Sequence, residues 1–315
     1  MSFKKILFIT LCLAPLTSRS IFSALPARST NFSGCSFESH RDVSGDLIAY
    51  NATLKSLTIE GSADLENATV FQELRVTDEL HCKNCTIGSL FSQANIMLIG
   101  TTATGKITSS GKFHCRNSIL QELATSANTT IDTTTIIGNT ENTEGSTTAT
   151  HSKFADITLH GDFKGRNISC KNLFVKGTTN LFKSTVLEAA TLSGETKCTE
   201  CFFNVLTTTE KTKLIETSAQ EAVAKARLIA ENCLFESLTI EGHTATLTDC
   251  TIGTIYVQTT PNQKAPTITI NTSQNTSAVA TIKKIICLDP AIRIIYGKNT
   301  IPAHEVLGTN HIQKN

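Results

Sequence analysis

Cysteine spacing gives the first hint of chemistry. Of the eleven cysteines, Cys82/Cys85 and Cys198/Cys201 form two C-x-x-C pairs. Thiolates at that spacing suit tetrahedral zinc or a dithiol redox site, because one tight turn aims both sulfurs at the same point. Eight histidines could supply further ligands or bases. The other reactive motifs are missing: there is no G-x-S-x-G, no H-E-x-x-H and no phosphate-cradling glycine loop. Nor do carboxylate pairs recur in the manner that polysaccharide lyases and hydrolases need. The residues on their own therefore predict no catalytic group, no metal and no cofactor, with the C-x-x-C pairs as the exception to be weighed.

What positions those cysteines is an internal repeat. Ser56–Gly61 and Ser237–Gly242 are the same six residues, S-L-T-I-E-G, and Gly111–Asn117 aligns with Gly161–Asn167. Between such landmarks the apolar residues come in pairs spaced by two, three pairs to each unit of 16–17 residues. Ala52/Leu54, Leu57/Ile59 and Ala63/Leu65 make one unit, and Ala68/Val70 open the next. Spacing two is a strand that shows one face to a core. Three short strands per unit predict an all-β, three-sided parallel β-solenoid. Asn51, Asn67, Asn84, Asn117, Asn167, Asn232 and Asp249 recur at one corner, where left-handed backbone is tolerated by these types. Gly61, Gly161, Gly194 and Gly242 punctuate another. About thirteen turns fit between Cys35 and Val257. Residues 125–149 are rich in Thr and poor in apolar pairs, and Ala219–Glu231 has helical propensity, yet both keep the register. After Val257 the pattern changes, and the strands beyond Pro261 are expected to cap the coil. The expected division is 1–24 export signal, 25–260 solenoid, and 261–315 capping strands with a polar tail.

Placed on this frame, the candidates change character. Both members of each C-x-x-C pair fall on inward positions flanking one corner, and Cys115, Cys233 and Cys250 occupy equivalent columns. Cys82, Cys85, Cys198, Cys201, Cys233 and Cys250 thus read as core residues or as structural disulfides, within each C-x-x-C pair and between Cys233 and Cys250 on adjacent turns. His81 and His114 share an outward column with Lys164 and Lys197, a mildly basic stripe whose two imidazoles are about 10 Å apart, too far to share an ion. Thr58, Thr108, Thr158, Thr191, Thr207 and Thr239 share the outward middle of the second face; Arg75, Phe91, Phe174 and Tyr256 interrupt them. Thr53, Thr69, Thr86, Thr185 and Thr251 share that of the first. Such hydroxyl columns could bind a glycan or a host surface, although Thr favours exposed strand positions in any case.

Bulk properties narrow the partners. Lys and Arg number 28 against 27 Asp and Glu, for a net charge of +1, so there is no electrostatic footprint for nucleic acid. Residues 1–24 read as an export signal: Lys4 and Lys5, the apolar run Ile6–Leu16, then small residues up to Ala24. That run is shorter than the roughly 20 residues a spanning helix needs, and no other segment is long enough, so no transmembrane segment is expected after cleavage. A secreted, periplasmic or cell-surface location follows.

The three-sided rung of alternating apolar pairs over residues 35–257 resembles the bactofilin family, whose short β-helices polymerise as bacterial scaffolds. The export signal and the greater number of turns depart from that family. The resemblance implies a non-enzymatic structural or surface-associated protein that associates with itself, end to end or laterally, and the export signal places it outside the cytoplasm. An adhesin-like glycan- or host-surface-binding module using a Thr-rich face is the alternative, and a polysaccharide-acting enzyme the third reading.

Overall fold

The computed structural model describes residues 29–261, 264–273, 281–297, 300, 302–309 and 311–314. The expected export signal lies outside them. Among the described residues every element is a strand and the strands pair in parallel, each bonding to the strand two further along the chain. The result is a parallel β-solenoid with one sheet of seventeen short strands and one of sixteen longer strands. At about 4.8 Å per stacked strand the coil is roughly 70 Å long.

Three inward apolar pairs per turn do not give three separate strands. The strand Thr53–Glu60 carries the first two pairs, Ala52/Leu54 leading into Leu57/Ile59, and its register with Thr69–Val76 slips between Leu54 and Leu57. Ser56 and Leu57 are buried one after the other there, which breaks the alternation. An extra residue at that point bends the strand, so two sides of the triangle share one hydrogen-bonded sheet. The third pair, Ala63/Leu65, sits on a four-residue strand of the other sheet.

The corner between the sheets is left-handed in all seven predicted positions, with φ between 51° and 54°. In the turns between them the same place is taken by Gly100, Thr133, His151, Lys183, Glu200 and Glu216, all with positive φ. Backbone pairing sustains it: Asn67 N donates to Lys83 O at 2.9 Å, and Thr133 N to Thr150 O at 2.9 Å. A second requirement operates at Gly61. A methyl group there would lie 2.6 Å from the carbonyl carbon and oxygen of Gly45, so the stacked corner leaves no room for a side chain.

Tight apolar packing fills the interior, with Phe113, Phe163, Phe203 and Phe235 wholly buried. The Thr-rich stretch keeps the fold by pairing its polar groups internally. Asn142, 1% exposed, donates from Nδ2 to Ala127 O and Thr147 Oγ1 at 3.0 Å each and accepts from Gly145 N at 3.1 Å. Residues 219–231 are strand, Ser218–Ala224 and Leu228–Glu231, since inward Ala222, Ala224, Leu228 and Ala230 satisfy the core whatever their helical propensity.

Two expectations need correction. The number of turns is about sixteen rather than thirteen. The sixteen-stranded sheet has fourteen strands before Pro261 and two beyond it, where the strands expected to form a cap prolong both sheets in parallel. Thr267–Asn271 pairs with Ala245–Thr248, and Thr281–Cys287 with Thr251–Gln258. The longer connections between these last strands hide the repeat, while the inward pairs Ile268/Ile270 and Ile294/Tyr296 preserve it.

Candidate functional site

Cys85, Cys201, Cys233 and Cys250 immediately follow the left-handed corner residue and point inward. The same column holds Thr101, Ser118, Thr134, Ser152, Ser184 and Thr217. In each case the hydroxyl or thiol donates to the carbonyl two residues earlier. Ser118 Oγ reaches Arg116 O at 2.8 Å, Thr217 Oγ1 reaches Ile215 O at 2.9 Å, and Cys201 Sγ reaches Thr199 O at 3.2 Å. These side chains clamp the backbone around the strained residue, and cysteine is one of three types that do so. Cys82 and Cys198 are the last inward residues of the preceding strands, which is why C-x-x-C appears.

The six cysteines singled out by sequence form no disulfide with one another in the structure, and each is at most 3% exposed. Burial, with the hydrogen bond Cys82 donates to Cys85, holds the Cys82 thiol well above its usual range; the acceptor Cys85 is lowered by that bond. Cys198 is raised first by its bond to Cys201, then by burial. Cys250 stands in the same relation to Cys233. A reactive thiol needs thiolate character together with access, and access is missing. Among the described residues no cluster of three or more His, Cys, Asp or Glu could hold a metal ion.

The closest approach to catalytic geometry involves residues that motif reading passes over. His40 Nε2 lies 2.8 Å from Asp42 Oδ1, and its Nδ1 lies 2.8 Å from Ser56 Oγ. With Nε2 protonated toward the carboxylate, Nδ1 accepts the serine proton, the relay of a Ser–His–Asp triad. The signal was available: Ser56 pairs with His40 one repeat later, and Asp42 shares the strand face of His40. The surroundings differ from an active site. The His40 and Asp42 side chains are 50% and 79% exposed, so bulk water competes for both. The residues lie on the outer face at the bend of the long-strand sheet, and the two concavities described below are elsewhere.

The predicted threonine column is in register along one line of the long-strand sheet, but few of its members touch. Thr58, Thr108, Thr158 and Thr239 pair with Arg75, Phe91, Phe174 and Tyr256, and also with Ala124, Glu141 and Val223. Only Thr191 and Thr207 are adjacent. The unbroken hydroxyl run is on the first face, where Thr53, Thr69, Thr86 and Thr102 pair in succession.

One concavity lies inside the coil among Leu206, Thr208, Thr212, Ala222, Ala224 and Leu238. Its volume of about 10 Å³ is no more than one water needs. The other, of about 440 Å³, opens on the outward side of the short-strand sheet beside Lys164, Asn180, Lys197 and Lys213. Lys164 and Lys197 belong to the predicted basic stripe; His81 and His114 lie further along it, outside the concavity.

Comparison with protein-family models, curated proteins and solved structures finds no match to this chain. Among the described residues no helix is long and apolar enough to cross a membrane.

Proposed function

We propose that the chain is an exported, non-enzymatic structural rod that associates side by side with copies of itself. The observation that carries this reading is the distribution of exposed apolar side chains. Of the thirteen large apolar side chains exposed among the described residues, six (Phe71, Ile119, Ile137, Leu187, Phe202 and Leu234) point outward from the first half of the long strands, one side of the three-sided coil, while others such as Phe91, Met97 and Tyr256 lie on the remaining sides. Phe71, Ile137, Leu187 and Leu234 are more than half exposed. Apolar groups spread along one side of a regular rod favour burial against another surface. A second copy has the same repeat distance, so contacts made in one turn recur in the next, and a two-fold arrangement uses the same face on both. The rung pattern shared with bactofilins accords with a polymer-forming scaffold. Light scattering of the mature chain at rising concentration tests the proposal: average mass grows with concentration, whereas an unchanged monomer mass overturns it.

A second reading is favoured by the contiguous hydroxyls of Thr53, Thr69, Thr86 and Thr102. They form a short regular ladder of the kind an adhesin-like module presents to glycan or host surface. A glycan array tests it, with signal expected on neutral glycans and lost in a Thr69→Val/Thr86→Val variant. An array without hits counts against it.

A further inference from the structure

The 440 Å³ concavity on the short-strand sheet has an electrostatic asymmetry that its composition hides. Its column runs Lys164, Asn180, Lys197, Lys213, Ile229, each residue paired to the next across adjacent turns. Lys197 and Lys213 are therefore neighbours of like charge at strand spacing, which is unfavourable unless compensated. The acids nearby are already engaged. Glu231 pairs with Lys213 at 3.2 Å and Glu195 with Lys211 at 2.8 Å. Asp162 accepts from Thr178 N at 2.8 Å. Among the described residues Lys164, Lys197 and Arg166 form no ion pair, although the charge of Lys164, after the hydrogen bonds from Thr178, helps hold the Asp162 carboxyl below its usual range. Next to the lysine column, Arg166 and Lys183 both stand over the Phe182 ring, at 5.5 and 5.1 Å, and so take up its faces.

We infer that this groove binds an acidic polysaccharide, a chain of uronic acid residues lying along the coil axis with carboxylates at Lys164 and Lys197. Three features select that class. The groove runs across five adjacent turns from Lys164 to Ile229, which suits a chain better than a compact ligand. Its free cations in the lysine column are two turns, about 10 Å, apart, and acids flank them. That spacing matches sparse anions and is far too open for duplex DNA, with one charge per about 1.7 Å. Finally, the Asn180 amide, which lines the groove between the two lysines, can serve sugar hydroxyls as donor and acceptor. The groove is on a different side of the coil from the apolar face proposed for self-association and from both threonine columns, so this inference does not depend on those readings.

Calorimetric titration of the mature chain with polygalacturonate oligomers tests it, with dextran oligomers and oligothymidylate as comparison ligands. Binding to the polyuronate is expected to weaken with added salt. It should fall at least tenfold in Lys164→Gln/Lys197→Gln and severalfold in Asn180→Ala. A Lys153→Gln/Lys171→Gln variant, altered on another side, should bind as the unaltered chain does. All four lysines are exposed, so circular dichroism of each variant should be unchanged. Absence of polyuronate binding overturns the inference. So does binding that survives Lys164→Gln/Lys197→Gln, equal binding of dextran, or tighter binding of oligothymidylate.

Discussion

Thr140 is buried in a column whose neighbours are Leu123 and Ile157, and its hydroxyl has no hydrogen-bond partner among the described residues. Valine has nearly the same shape without the polar atom. Thr140→Val should therefore raise stability by about 1–2 kcal/mol, read as a higher denaturant midpoint at unchanged slope; a lower midpoint would show that the hydroxyl is satisfied. The buried thiols make a pH prediction. Burial pushes Cys170 up to about 12 and Cys287 up to about 11. Below the ordinary thiol range of about 8.5 both folded and unfolded chains keep these protons, and the thiols add no pH dependence. Between there and pH 11–12 the unfolded chain loses protons that the folded chain retains, so unfolding is favoured progressively. Unfolding titrations at pH 7 and 10.5 should show a fall in stability that is smaller in Cys170→Ala. An equal fall in both chains would remove Cys170 from the account. At this scale the sequence was legible where residue type declares its conformation, as at Asn84 or Asn167. It was silent at Thr133, Lys183 and Glu216, where stacking on neighbouring turns imposes a left-handed backbone that the residue itself does not favour.

At the scale of the element, the corners decide whether turns can stack. Gly61 approaches Gly45 too closely to accept a methyl group, so Gly61→Ala must push two turns apart or twist the corner. A loss of about 1–3 kcal/mol is expected, measured by thermal or denaturant unfolding; a neutral result would mean that the corner has slack. Gly61, Gly161 and Gly194 stood out in the sequence as a corner column. Their reason is crowding between turns, which only the stacked arrangement reveals. The bend at Ser56 was likewise hidden, because the spacing of inward pairs is the same for two strands and for one bent strand. Beyond Pro261 the repeat failed as a guide for a simple reason: a solenoid tolerates long insertions at its corners, and these destroy the period while leaving the inward pairs intact. The candidate groove was half visible. Lys164 and Lys197 fell in one column on period alone, but the ion pairs that silence Glu195 and Glu231 required the neighbouring columns as well.

For the whole molecule, the distribution of surface character matters more than any single group. The long coil has a filled core, one side dotted with apolar side chains and another with a basic groove, so different sides are free for different contacts. Self-association through the apolar side is the central claim, and sedimentation velocity on matched samples tests it most directly. The mature chain should sediment as assemblies that grow with concentration, while Leu187→Lys/Leu234→Lys, placing charge on the contact face, should remain monomeric over the same range. A mature chain that stays monomeric throughout, or a variant that assembles as readily, would contradict the account.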